Sequence, residues 1–101
     1  MQLSKTAAEG IIKIEKWLEG KSAFFFCSEQ KDMSPDGGIV AHFRVYRNKS
    51  GVEVVLNRIE STCVVKVNGH IVIPINRSLC EYPETLFALI QEFTNLVTPQ
   101  K

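Results

Sequence analysis

The chain lacks most of the features that announce a chemistry. It has no long hydrophobic run: its most extended apolar stretches, Ala23 to Cys27 and Ile71 to Ile75, fall far short of the ~18 residues a membrane span requires. The first residues also lack the apolar centre of a signal peptide. Charge of one sign is missing too. Twelve basic residues stand against eleven acidic ones, a net charge of +1, so no long-range field draws the protein toward a polyanion. Three cysteines, Cys27, Cys63 and Cys80, are an odd number at wide spacing, and neither a CxxC pair nor a Cys/His pair sets up a zinc site. They are expected as buried, reduced thiols of a cytoplasmic protein. A phosphate-binding glycine loop, a serine elbow and an HExxH helix are all absent.

The nearest approach to a ligand motif is Asp32-Met33-Ser34-Pro35-Asp36-Gly37. A calcium loop opening at Asp32 would need a bidentate glutamate at its twelfth position, where the chain has Phe43. The same residues suit a hairpin turn. Pro35 presets φ for a type I turn, Asp36 bonds back to the backbone, and Gly37 takes the positive φ of the following bulge. No metal and no other cofactor is expected.

What is present is ordinary globular material, 45% hydrophobic and 23% charged, enough for one domain of residues 1–101 with one core. From Thr6 to Glu19, Ala7, Ile11, Ile14 and Leu18 recur at helical steps. Thr6 and Glu9 form a capping box, Glu9 and Lys13 an i,i+4 pair, and Gly20 a left-handed helix end. Ala23 to Met33 and Gly38 to Arg47 read as strands joined by the Ser34–Gly37 turn, pairing Met33 with Ile39, Cys27 with Val45 and Phe26 with Tyr46. A second turn, Asn48–Gly51, sets Arg47 opposite Glu53 and Val45 opposite Val55. The long segment Val52 to Val67 reads as one strand with a bulge or break in its polar part, Asn57 to Thr62. Asn68-Gly69 is a type I′ hairpin signal pairing Val67 with His70, Val65 with Val72 and Val64 with Ile73, and Pro74 marks an edge strand. Pro83 to Val97 reads as a helix with Leu86, Leu89, Ile90, Phe93, Leu96 and Val97 on its buried stripe. Thr98 to Lys101 read as frayed.

These elements assemble into an α+β two-layer sandwich: a four-stranded antiparallel meander with the N-terminal and C-terminal helices on one face, in the order α-β-β-β-β-α. Strand alternation sorts Phe25, Cys27, Met33, Ile39, Ala41, Phe43 and Val45 onto one face, expected as core. Phe24, Phe26, Ser28, Gln30, Val40, His42, Arg44 and Tyr46 fall on the other, expected to be exposed with Val54 and Leu56. Gln30 and Arg58 are the expected neighbours of His42.

The candidate site follows from that sorting. Phe24, Phe26, His42, Arg44, Tyr46 and Arg58 would form an exposed patch of aromatics and guanidinium groups, the residue types that dominate protein interfaces. The expected function is a non-enzymatic binding module, a small inhibitor or adaptor of the kind mobile elements encode. Its partner would be another protein or a second copy of the chain. The alternative is single-stranded nucleic acid, for which stacking rings and arginines are also suitable, although the near-zero net charge and the acidic Asp32 and Glu60 on that face oppose it. Catalysis has little to work with. His42 suits a structural or interfacial role and His70 a solvated one, while Cys80, upstream of a helix, has no base near it in sequence.

Overall fold

The structure, a computed structural model, describes residues 5–20 and 24–97. Helix α1 (Lys5–Glu19) is followed by strands β1 (Phe25–Met33), β2 (Ile39–Arg47), β3 (Val52–Asn57), β4 (Thr62–Val67) and β5 (His70–Asn76). A 3₁₀ turn (Ser78–Glu81) then leads into helix α2 (Pro83–Val97). The strands form one antiparallel sheet in chain order, β1-β2-β3-β4-β5. The α+β fold is therefore as expected, with five strands in place of four. Val52 to Val67 is two strands because Asn57 folds the chain back: its Oδ1 accepts the N–H groups of Ile59 (3.1 Å) and Glu60 (3.3 Å). Ser61, at φ 57°, completes the reversal. An asparagine that bonds forward in this way offers the backbone a turn in place of a ladder.

The expected turns form. Gly37 sits at φ 94°, and its N–H donates to the Ser34 carbonyl at 2.9 Å. Asn48 does more than shape its turn. Buried, it accepts the N–H groups of Ser50 and Val52, each at 3.0 Å, and its amide donates to Thr94 Oγ1 at 3.0 Å, tying the β2–β3 connection to α2. Asn68 and Gly69 both have positive φ, as a type I′ turn demands.

Register departs from expectation in two places. Phe26 faces Tyr46 and Met33 faces Ile39, but irregularities at Cys27 on β1 and Val40 on β2 shift the stretch between them, putting Ser28 opposite Val45 and Lys31, rather than Gln30, opposite His42. Cys27 is exposed as a result, while Cys63 and Cys80 are buried. Irregularities between β4 and β5 place Val65 opposite Ile73, so neither the Val65–Val72 nor the Val64–Ile73 pair forms.

The faces are the reverse of the expected assignment. Both helices cover the side carrying Tyr46, Val52, Val54, Leu56, Cys63, Val65 and Ile73, all of them buried. Phe43, Val45, Val55 and Val64 lie on the other side, half-buried by their own neighbours. Alternation establishes which residues travel together but not which set meets the helices. Here the larger apolar set wins, because it runs unbroken from β2 to β5.

On α1 the stripe Ala7, Ile11, Ile14 and Leu18 is buried as expected, and off-stripe Ile12 is exposed. Thr6 lies inside the helix, which already includes Lys5, so it is no cap. Gly20 donates to the Trp17 carbonyl at 3.3 Å without a left-handed φ. Along α2 Leu86 and Ile90 are buried, and Phe87, Leu89, Phe93 and Val97 pack half-buried against the same core. Leu96, expected on the stripe, is 77% exposed. Trp17 stacks on Phe87 at 4.5 Å between centroids, locking the two helices together. The expected strand start at Ala23 and the frayed end, Thr98 to Lys101, lie outside the described residues.

Candidate functional site

Arg44 is the centre of the expected patch. It projects from β2 toward α1, and its guanidinium lies 3.6 Å from Glu15, 3.7 Å from Glu19 and 3.6 Å from Glu29. Arg58, in the β3–β4 turn, brings Nε within 3.1 Å of the same Glu15 carboxylate. His42 Nε2 bonds to Glu29, and the Tyr46 hydroxyl donates to Glu19 at 2.6 Å. The ring of Phe26 completes the group. Arg44 lies 4.9 Å from its centroid, and Tyr46 meets it edge-on at 5.6 Å.

Five of the six expected residues, Phe26, His42, Arg44, Tyr46 and Arg58, thus come together, and Phe24 does not. Phe24 turns into the helical layer, 6.1 Å from Trp17. The group is not the exposed patch that was expected. Tyr46 and His42 are buried and Arg44 is mostly covered; only Phe26, at 46%, and Arg58 show substantial surface. Glu15, Glu19 and Glu29 escaped the sequence reading. A signal was available: Glu15 lies four residues after Ile11, on the buried side of α1, where a carboxylate requires a cation across from it.

Three carboxylates against two guanidinium groups leave one excess negative charge while the imidazole is neutral. The hydrogen bond from His42 holds the Glu29 carboxyl below its ordinary value near 4.5, with Arg44 and Lys31 acting in the same direction. Burial, and then the bond to Glu19, push the Tyr46 phenol well above its usual range. Such a network orients α1 on the sheet. The groups around His42 are carboxylates and guanidinium ions already paired with one another, and the ring itself is almost wholly covered. Cys80 lies buried against Cys63, and the bond between the two thiols, together with burial, raises the Cys80 thiol.

The second surface is the uncovered face of the sheet. Val45 pairs with Val55 and Val55 with Val64, giving an apolar row across β2, β3 and β4 with Phe43 beside it. A polar row borders it: Arg47 bonds to Glu53 at 3.1 Å, and Glu53 pairs with Lys66. Phe25 and Ile71 stand exposed toward its two sides.

Beyond β3 the β1–β2 hairpin continues as a two-stranded arm. The β2–β3 pairing stops at Phe43, yet β1 and β2 pair to the Ser34–Gly37 turn. Met33, Ile39 and Val40 on this arm are all exposed, and the molecule measures 53 × 25 × 23 Å along its principal axes. No helix among the described residues is long and apolar enough to cross a membrane. No family model matches the chain, and neither a curated protein nor a solved structure does so.

Proposed function

We propose that the chain is a non-enzymatic protein-binding module, a small inhibitor or adaptor, that docks a folded partner on the uncovered face of its sheet. One observation carries this reading. Both helices belong to the single core on one side, so among the described residues Phe43, Val45, Val55 and Val64 on the other have only their own sheet for company. An apolar row bordered by charges of both signs has the composition of an interface centre and its rim. The site is therefore moved from the sequence-derived patch to the opposite face. The nucleic-acid alternative loses its support, because the arginines that would meet phosphate already face Glu15, Glu19 and Glu29.

The test uses Val55→Asp, which places a charge at the middle of the row. Proteins captured by the tagged wild-type chain and lost with Val55→Asp, a variant expected to melt somewhat lower but to stay folded at the assay temperature, are the expected result. Capture indifferent to Val55→Asp would overturn the docking face. Salt-sensitive binding of a single-stranded oligonucleotide, abolished by Arg58→Ala, would put the nucleic-acid reading in its place.

A further inference from the structure

Strand β1 forms one edge of the sheet, and eight of its nine residues are exposed. An edge of that length presents a row of backbone donors and acceptors to any extended chain. Its side chains narrow the choice of partner. From Cys27 to Met33 the sequence is Cys-Ser-Glu-Gln-Lys-Asp-Met. Reversed about Gln30, its regular part complements itself: Glu29 falls opposite Lys31 and Ser28 opposite Asp32, with the bulge at Cys27 just outside. Directly opposed residues in an antiparallel pair point to the same face, so these are true neighbours in such a pairing.

We infer that β1 pairs antiparallel with β1 of a second copy of this chain, about a two-fold axis at Gln30, joining two five-stranded sheets into one of ten strands. Two ion pairs, Glu29 with Lys31 and its symmetry mate, then flank an amide pair on the axis, and a serine–aspartate pair lies outside each. A C2 contact requires such self-complementarity. Charged edge residues and a bulge ordinarily discourage strand addition. Here the alternation of sign discourages a strand of other sequence while matching this one.

The arm supplies a second, independent reason. A two-stranded ribbon is marginal in water unless a third strand or a packed face supports it, and this one carries Met33 at 57% and Val40 at 53% exposure. The same two-fold axis lays the β1 strand of the second copy along the arm. It also brings the tip of each arm beside the base of the other copy's β1, where Phe25 and Phe26 are about half exposed. Glu29 gains a lysine from the second copy without losing His42 or Arg44, which reach it from within its own chain.

The experiment is sedimentation of the full chain across about 1 to 200 μM, a range that brackets micromolar self-association. Wild type is expected to dimerise, and Lys31→Glu, which sets like charges opposite Glu29 twice, to weaken the dimer at least tenfold while melting like wild type at a concentration low enough for both to be monomeric. Geometry is checked by cross-linking with oxidised glutathione in a Cys27→Ser background. At Gln30→Cys the two Cα atoms would lie about 4.5 to 5.5 Å apart, within disulfide reach, giving a covalent dimer. At Ser28→Cys the like positions would be about 13 Å apart, giving none. A monomer throughout the range, a dimer indifferent to Lys31→Glu, or equal cross-linking at both positions would overturn the inference. A dimer lost with Val55→Asp but kept with Lys31→Glu would overturn it while leaving the docking face of the sheet intact.

Discussion

Gly10→Ala is the substitution for which local and tertiary physics disagree most. Gly10 lies in the middle of α1, where alanine should stabilise the helix by about 1 kcal/mol. The structure opposes this, because a Cβ built on Gly10 would sit 1.5 Å from the carbonyl oxygen of Cys80 and 2.7 Å from its carbon. That is about 2 Å short of ordinary contact, and the obstacle is backbone in the 3₁₀ turn, which cannot swing aside as a long side chain would. Either α1 lifts, pulling Ala7, Ile11 and Ile14 from the core, or the turn moves and takes Cys80 with it. Overpacking ordinarily costs about 1 to 3 kcal/mol, occasionally more. A backbone obstacle places this case at or beyond the upper end, about 3 to 5 kcal/mol, so the net loss should be roughly 2 to 4 kcal/mol after the helical gain. For a domain of this size that lowers the melting temperature by roughly 10 to 30 °C. Urea denaturation followed by circular dichroism measures it, with the exposed Glu9→Ala as control. A Gly10→Ala protein as stable as wild type would refute the close packing of α1 on the 3₁₀ turn and, with it, the placement of the helical layer.

Two further outcomes follow from the charge cluster. Tyr46→Ala should cost about 3 to 5 kcal/mol, as removal of a fully buried aromatic does; a loss within 1 kcal/mol would return Tyr46 to the exposed face that alternation alone suggested. Acid stability should depend on Glu29, whose folded-state pKa lies below its unfolded value. The stabilisation is therefore present above the ordinary value near 4.5 and disappears as pH falls through the depressed one. Melting temperatures between pH 6 and 3 should fall more gently for His42→Ala than for wild type, and identical acid limbs would show that the Glu29–His42 bond contributes nothing.

Much of this arrangement is legible in the sequence because it rests on short-range rules. Pro35 and Gly37, Asn48 and Gly51, and Asn68 with Gly69 name their turns, and the steps from Ala7 to Leu18 name the buried side of α1. The reversal at Asn57 was harder to see, since a polar interval between two apolar runs suits a bulge as well as a turn. The bulge at Cys27 has no local signature at all. The faces were misassigned for a different reason: the set with Phe43 and Val45 and the set with Tyr46 and Val54 are both apolar, and the choice between them was made elsewhere in the chain. The set with Tyr46 and Val54 continues unbroken into β5, and Glu15 and Glu19 on α1 meet Arg44, Arg58 and Tyr46 on that same side, contacts across more than twenty residues that no local pattern announces.

The meander also orders events in time. Each of its strand pairs closes a loop of only a few residues, whereas the contact of Gly10 with Cys80 joins points about 70 residues apart. In an unstructured chain, closing the longer loop costs about 2.5 kcal/mol more than closing a four-residue one. The helix synthesised first is therefore expected to dock last, onto a sheet already assembled. Interactions made after the rate-limiting barrier alter how fast a protein comes apart and leave unchanged how fast it forms. The close approach at Gly10 would then act as a latch on the native state: stopped-flow mixing should find faster unfolding for Gly10→Ala at a nearly unaltered folding rate, and slowed folding would instead place α1 in the nucleus.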